Sequence, residues 1–426
     1  MLRRRFVAAA SMPAFLGAND RVRFGLIGCG GRGKYVAGFA REAANTEIGA
    51  VCDIWEERRE AAKQWAGPQA TVYSDFRKVL EDKSLDAVMV STPDHWHATI
   101  AILAIRAGKD VYVEKPLALT VHEGRQIVEA ARKSDRIVQV GTQHRSAPHY
   151  AEVQKMVQSG LIGKVNFVHV WNFFDMMPNG IGTAPDGAAV PAGVDWDMYL
   201  GPAPARAFNR LRLGPTFRYF WDYSGGAVTD FGIHRFDSVH QIMGSDKPHT
   251  ISATGGRYAL KDSGETPDLM QVTWEYPGWV MSYETCSFNS HGMGGRTPGM
   301  KYYNARGTED RPHGEAFYGT EGTIFTDRIG YEVYPSKSSH AERVSKNSTD
   351  ATSLHAKNFI ESVRTRKAPV VDIETGHRST LVAHLGNIAM KTGRKLQWDA
   401  DAERFGKDED ANRYLAREPR KAWSLL

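Results

Sequence analysis

The sequence predicts an α/β protein that opens with a doubly wound parallel sheet, and three observations predict it. A short apolar run at 22–27 reads as a buried strand and ends in Gly28, Gly30 and Gly33. Tyr35, Val36, Phe39 and Ala40 then recur at helical spacing. A second apolar run, 47–52, ends in Asp53, which lies 20 residues beyond Gly33. Strand, glycine turn, helix, strand and acid is the order of a dinucleotide-binding unit. The glycines let the backbone approach a pyrophosphate, the helix start offers free N–H groups and a positive dipole end, and the acid bonds the adenosine ribose. Gly31 and Arg32 lie inside the same turn and are assigned with the glycines and Asp53 to the cofactor. The competing reading is a glycine turn in some other α/β protein.

The alternation continues. Helices are expected at 56–65 and 75–81, and a strand at 86–91 leads into Thr92-Pro93-Asp94-His95-Trp96-His97. That loop lies at the C-terminal end of a parallel strand, the edge where open α/β sheets bind ligands, so Thr92, Pro93, His95 and His97 join the cofactor set. A helix N-cap accounts equally well for Asp94, and the two histidines are otherwise plain loop residues. After a helix through residue 107, the strand 110–113 delivers Glu114-Lys115-Pro116. A lysine set at a strand end beside the crevice is poorly explained as a solvated surface charge, although that remains the alternative. A helix at 121–132 and a strand at 137–140 lead to Gly141-Thr142-Gln143-His144-Arg145, again at a strand's C-terminal end.

Composition narrows the class. With 426 residues, 42% hydrophobic and 24% charged, the chain buries a sizeable core and divides into two domains rather than one. Lys and Arg number 54 against 49 Asp and Glu, a net charge of +5, and no basic stripe suited to nucleic acid is present. No apolar run approaches the ~20 residues of a transmembrane helix, so neither nucleic acid nor membrane is expected as a partner. Cys29, Cys52 and Cys286 are scattered without a C-x-x-C pair, which argues against a disulfide framework or a zinc site. At the N-terminus, Arg3-Arg4-Arg5-Phe6-Val7 fits a twin-arginine export signal, followed by a short small-residue run to Ala18. Residues 1–18 are therefore expected to be a signal peptide and the protein periplasmic or secreted. The alternative is a frayed basic N-terminus on a cytoplasmic protein.

One further motif carries chemistry: Gly225-Gly226-Ala227-Val228-Thr229-Asp230-Phe231-Gly232-Ile233-His234. Together with the glycine fingerprint, Asp53, the Thr92-Pro93 loop and Glu114-Lys115-Pro116, it resembles the glucose-fructose oxidoreductase, inositol dehydrogenase and rhizopine-catabolism family (Gfo/Idh/MocA), from about residue 21 to the C-terminus. The resemblance implies an N-terminal Rossmann domain, 19–145, and a C-terminal α/β domain, 146–426. The second domain is expected to have an open, mostly antiparallel sheet that often builds a homo-oligomer interface, in a dimer or tetramer. The second half suits that plan. Strands are expected at 165–173, 250–258, 270–276, 279–285, 322–327 and 370–371, with helices at 354–365 and 375–392. Residues 178–205 read as a long loop, 335–349 as a polar surface excursion, and the last helices and the last ~25 residues as packing back on the first domain.

Asp230, His234, Asp237 and His240 are spaced 4, 3 and 3 and would share one helix face. Their ~15 Å span exceeds the reach of one ion, so no metal is expected. Moving a hydride from a sugar C–H requires the hydroxyl on that carbon to lose its proton to a base. His234 suits that role, Lys115 polarises the oxygen, and Asp230 orients the imidazole or bonds a neighbouring hydroxyl. The resemblance implies the same three catalytic residues, and the alternative for His234 is a purely structural histidine. The segment around Gln143 and the aromatic region 171–221 depart from simple inositol dehydrogenases. Glu114, Lys115 and Gln143 are assigned to the cofactor and His144, Arg145, Trp196 and Tyr223 to the substrate; Trp196, Tyr219, Trp221 and Tyr223 either stack on sugar faces or pack in the core.

The expected function is NAD-dependent hydride transfer to or from a hydroxyl-bearing carbon of a sugar, sugar derivative or cyclitol. NADP is disfavoured because Asp53 repels a 2′-phosphate, although Arg58 and Arg59 lie near it in sequence. Two alternatives are a redox-neutral glycoside hydrolase that recycles its own NAD, which export would favour, and a non-catalytic dinucleotide sensor, which the presence of Lys115, Asp230 and His234 disfavours.

Overall fold

The computed structural model describes residues 21–293, 311–328, 330–337, 344–348 and 351–423. The proposed signal peptide and much of the 335–349 segment lie outside the described residues. The N-terminal half is a six-stranded parallel sheet built from β1 (Val22–Ile27), β2 (Thr46–Cys52), β3 (Thr71–Tyr73), β4 (Ala87–Val90), β5 (Asp110–Val113) and β6 (Val138–Val140). Their spatial order is β3-β2-β1-β4-β5-β6, with the reversal between β1 and β4. Such a switch point opens a crevice at the strand C-termini. The helices between them are α1 (Gly31–Arg41), α2 (Glu56–Ala66), α3 (Phe76–Glu81), α4 (His97–Arg106) and α5 (Val121–Arg132). All four residues of β4 and of β5 are buried, as strands covered on both faces require.

Past β6, α6 (Pro148–Gln158) leads into β7 (Val165–Phe173), followed by a long excursion containing α7 (Trp196–Leu200) and then by α8 (Ile233–Met243). The second sheet adds β8 (Thr250–Gly256), β9 (Leu269–Tyr276), β10 (Trp279–Cys286), β11 (His313–Gly319), β12 (Gly322–Asp327), β13 (Gly330–Pro335), β14 (Val344–Asn347) and, beyond α9 (Thr352–Thr365) and α10 (Ile373–Thr392), β15 (Leu396–Gln397). Its order is β14-β13-β12-β11-β7-β10-β9-β8-β15, antiparallel except where β10 meets β7. Met270, Val272 and Trp274 alternate into a core shared with Phe236, Val239 and Ile242 of α8 and Leu381, Leu385 and Ile388 of α10. On the opposite face Phe167 and Tyr318 stack with ring centroids 5.4 Å apart, and both remain more than a third exposed.

Two expectations are corrected. Residues 370–371 form no strand; Val371 is buried in a bend and its carbonyl accepts the Val140 N–H at the edge of the first sheet. Helix α9 packs on the first half, where Ala356, Phe359, Ile360 and Val363 share a core with Phe24 and Val36. Within 335–349, residues 344–347 pair with β13 as β14.

The excursion between β7 and α8 crosses to the first half. Val194 forms an antiparallel bridge with Trp55, flanked by Glu56 N–H to Gly193 O (2.8 Å) and Asp195 N–H to Ile54 O (3.1 Å). Its own small core, Tyr199, Leu211, Phe217 and Phe220 with Ile54 and Trp55 against it, holds the segment in place. The chain end also returns. Arg417 bonds Glu123 and the His95 carbonyl, and Trp423 packs edge-on to Trp96, 4.8 Å between centroids.

Candidate active site

A cleft of about 1390 Å³ runs along the C-terminal edge of the parallel sheet, between the glycine turn and the excursion. Gly28 has φ +92°, and a Cβ there would lie 2.5 Å from the Ser91 carbonyl oxygen; at Gly33 it would lie 2.2 Å from the Gly28 oxygen. These two glycines are demanded by the turn itself. Gly31 is different: a Cβ there meets nothing within 4 Å, and at Gly30 only Arg58 at 4.0 Å. The space they leave is open, beside a helix start that no side chain caps and that carries no acid in its first turn. Ser91 Oγ and Thr92 Oγ1, both beside this turn, are buried without hydrogen-bond partners. An uncapped helix N-terminus, an open glycine turn and two orphaned hydroxyls fit a pyrophosphate.

Asp53 lines the cleft, with its oxygens accepting from Cys29 N–H (2.8 Å) and Trp55 N–H (3.0 Å). Each oxygen keeps a second lone pair for a ribose hydroxyl. Burial raises the carboxyl's pKa, with the Arg58 charge pulling the other way. Arg58 also lines the cleft, its guanidinium 4.6 Å over the Trp55 ring. Arg32 bonds Glu114 (2.9 Å) and Gln143 (3.5 Å), fixing the far side of the turn.

The chemistry-bearing side chains meet where the two halves face each other. Lys115 Nζ donates to the Asp230 backbone oxygen (2.7 Å) and to its Oδ1, while Arg218 Nε lies 3.0 Å from Oδ2. Burial alone would raise the Asp230 carboxyl, but Arg218 and Lys115 outweigh it and hold the group far below the usual carboxylate range. Two of the three Lys115 N–H bonds go to Asp230, leaving one for a substrate oxygen. His234 lines the cleft beside them, and burial followed by the Lys115 charge lowers its pKa well below 6.5, so the imidazole is neutral at working pH.

The expected Asp230–His234 pair does not form, because Asp230 is taken by Lys115 and Arg218 and His234 Nδ1 has no partner. The reason is local. Residues Val228–Gly232 form a π-helical turn, which breaks the i,i+4 alignment that the spacing implies. Asp237 and His240 are committed elsewhere, to Arg145 and Ser379 and to Tyr276 respectively.

Of the residues assigned from sequence, Gly28, Gly30, Gly31, Arg32, Gly33, Asp53, Thr92, Pro93, Glu114, Lys115, Gln143, Asp230 and His234 line the cleft. Five others do not. His95 is buried with Nε2 on the Tyr199 carbonyl, and Tyr223 packs against it. His97 spans the carbonyls of Pro116 (2.7 Å) and Thr92 (2.9 Å), tying the lysine loop to the cofactor loop from behind. Arg145 grips Asp237, and Trp196 stacks on Tyr199 at 4.9 Å. Asp94 caps no helix; its carboxylate accepts the Ser224 hydroxyl. His144 lies one layer deeper, stacked on Tyr150 (5.1 Å, 12°) and 5.1 Å from the His234 ring. Sequence reasoning missed Arg218, which carries no motif and reaches Asp230 only through the fold.

A doubly wound sheet with an open phosphate-binding turn, joined to an antiparallel sheet that carries an acid and a histidine to the cleft, defines a two-domain dinucleotide-binding protein. The family model described as an oxidoreductase family NAD-binding Rossmann fold matches residues 22–142, and that family's C-terminal alpha/beta domain matches 147–258 and 308–425, over half the chain. The chain belongs to the Gfo/Idh/MocA oxidoreductase family. An inositol 2-dehydrogenase of Salmonella typhimurium is 32% identical over 150 residues, 35% of this chain and 45% of that protein, so the match spans less than half of the relative. A myo-inositol 2-dehydrogenase of Thermotoga maritima is 22% identical over 383 residues, 88% of this chain and 98% of that protein. A solved levoglucosan dehydrogenase in complex with NADH and levoglucosan superposes with a TM-score of 0.66 at 18% identity, covering 88% of this chain and 99% of its own, and so shares the fold.

Proposed function

We propose that the protein is an NAD-dependent oxidoreductase that moves hydride between nicotinamide and a hydroxyl-bearing carbon of a sugar, sugar derivative or cyclitol. The observation that carries this reading is the meeting of Lys115, Asp230 and neutral His234 at one wall of the cleft that holds the glycine turn. The bound dinucleotide supplies the hydride acceptor. Neutral His234 takes the proton of the reacting hydroxyl as the C–H electron pair leaves and the C=O bond forms. The free N–H of Lys115 holds the oxygen while it carries alkoxide charge. Asp230, kept ionised, fixes the ammonium, and Arg218 fixes Asp230. That the relatives named above are dehydrogenases favours net oxidation over an internally recycled hydrolysis. The test is to purify the protein with its cofactor and screen sugars, cyclitols and glycosides for reduction of NAD. Glycoside cleavage without net NADH, or binding without turnover, would refute the assignment.

The exposed aromatic pair Phe167–Tyr318 on the helix-free sheet face supports a homo-oligomer built through that face, which light scattering of wild type against Phe167→Glu tests. Export through the twin-arginine route rests on Arg3 and Arg4.

A further inference from the structure

Arg218 does more at the catalytic wall than neutralise an acid. It belongs to a short 3₁₀ turn, Gly214–Tyr219, within the excursion, and lines the cleft together with Lys115, Asp230 and His234. Three contacts hold its guanidinium still. Nε is paired with Asp230 Oδ2 at 3.0 Å, a terminal nitrogen donates to the Pro215 carbonyl (3.2 Å), and the central carbon lies 4.7 Å over the Phe217 ring. Phe217 is itself fixed in the excursion's own core with Tyr199 and Phe220. A guanidinium carries five N–H donors. Of the four on the terminal nitrogens, the Pro215 carbonyl takes one, and the other three have no acceptor among the described residues.

The sequence suggested Asp230 for bonding a hydroxyl next to the reacting one, and the fold gives it another task. Each of its oxygens faces a cation, and its side chain is 11% exposed against 32% for that of Arg218. Beside Lys115 the cleft therefore presents a fork of donors more than an acceptor. Lys115 and Arg218 sit on the two oxygens of one carboxylate, so their remaining N–H groups stand side by side, as the oxygens on adjacent carbons of a polyol do. Holding Asp230 uses Nε alone and makes no demand on where the terminal N–H groups point, yet Phe217 and Pro215 fix them. We propose that Arg218 is a specificity-determining residue that donates to a substrate oxygen on a carbon adjacent to the reacting one, while Lys115 holds the reacting oxygen. The proposal rests on the oxidoreductase reading above. A charge-assisted hydrogen bond of this kind is made with the full polyol and lost with the analogue that lacks the adjacent oxygen.

The experiment is single-turnover reduction of enzyme-bound NAD by D-glucose, D-galactose and myo-inositol, each compared with its full set of monodeoxy analogues. One analogue lacks the reacting hydroxyl and is inert. The expected result is that a second, lacking a hydroxyl on an adjacent carbon, falls on the order of tenfold or more in rate constant over apparent dissociation constant. In Arg218→Met both parent and second analogue slow, because Asp230 loses an anchor, and the ratio between them falls toward one. Arg218→Lys, which keeps a donor without the fork, gives a ratio between those of wild type and Arg218→Met. Circular dichroism and NAD affinity report whether each variant is folded. If Arg218→Met slows parent and analogue by the same factor, Arg218 serves Asp230 alone and the proposal is overturned. A wild type indifferent to every adjacent hydroxyl overturns it as well, and both results leave the oxidoreductase reading standing. Failure of all three parents to reduce bound NAD overturns both.

Discussion

Acidification should unfold this protein near pH 5, and the magnitude follows from its histidines. His95 and His240 have pKa values lowered to about 3, and His355 and His384 to about 4, in each case chiefly because burial penalises the imidazolium. In the unfolded chain each binds its proton near pH 6.5, while the fold refuses it until the pH is far lower. The unfolded state therefore takes up more protons below pH 6.5, and stability falls as the pH drops. At ~1.4 kcal/mol per pH unit and group, going from pH 6.5 to 4.5 costs about 2.7 kcal/mol for each histidine. For four such groups that is roughly 10 kcal/mol, against a total stability of about 5–15 kcal/mol. Glu315, raised to about 7 by burial, works in the opposite sense and offsets about one histidine. Three of the four sit on seams between distant segments: His95 on Tyr199, His355 on Val140 and His384 on Ala118. Thermal melts by calorimetry and tryptophan fluorescence, from pH 7.5 to 4 at fixed ionic strength, should show a falling Tm below pH 6.5 and cooperative unfolding near pH 5. A Tm that stays flat down to pH 4.5 would refute the reasoning.

Other outcomes concern the site and the address. Lys115→Ala should keep dinucleotide affinity nearly intact and lower turnover on the order of a hundredfold or more, as loss of an oxyanion-stabilising donor does; unchanged turnover in stopped-flow assays would remove its role. Arg218→Met should lower kcat while sparing NAD affinity, because Asp230 then has only Lys115 to hold it, and Arg218→Lys should restore part of the loss. Equilibrium titration should give a lower Kd for NAD than for NADP, since Asp53 repels a 2′-phosphate, and preference for NADP would point to Arg58 instead. Replacing Arg3 and Arg4 with Lys should hold the protein in the cytoplasm of a twin-arginine-competent host, read by fractionation and intact mass.

The parallel sheet was legible because its strands are buried on both faces and read as unbroken apolar runs, punctuated by glycines whose spacing, set between a strand and a helix, points to a phosphate-binding turn. The second sheet was legible only in part. Strand β11 contains a buried glutamate, and nothing local announces that Arg235 and Ser238, about 80 residues earlier, satisfy it. Strand β14 is short and polar and is identified by its partner. At the site, Lys115, Asp230 and His234 stood out by type and position, but their connectivity did not. A helical wheel pairs Asp230 with His234, and only the π-helical turn, a property of the folded chain, turns the acid toward Lys115 and Arg218. Arg145, Trp196 and Tyr223 were chosen for chemistry that they spend on packing and ion pairing instead.

The bridge between Val194 and Trp55 bears on how the dinucleotide comes and goes. Residues 54–56 directly follow Asp53, so the strap that grips them closes the adenosine end of the cleft from above. Rigid-body hinging of the two halves cannot widen that end while the Glu56–Gly193 and Asp195–Ile54 hydrogen bonds hold. Exchange of the coenzyme then requires a local opening, with ~1 kcal/mol for each bond and more for the aromatic contacts behind them. Coenzyme residence time, rather than equilibrium affinity alone, is thereby written into a segment that belongs to the other half of the molecule.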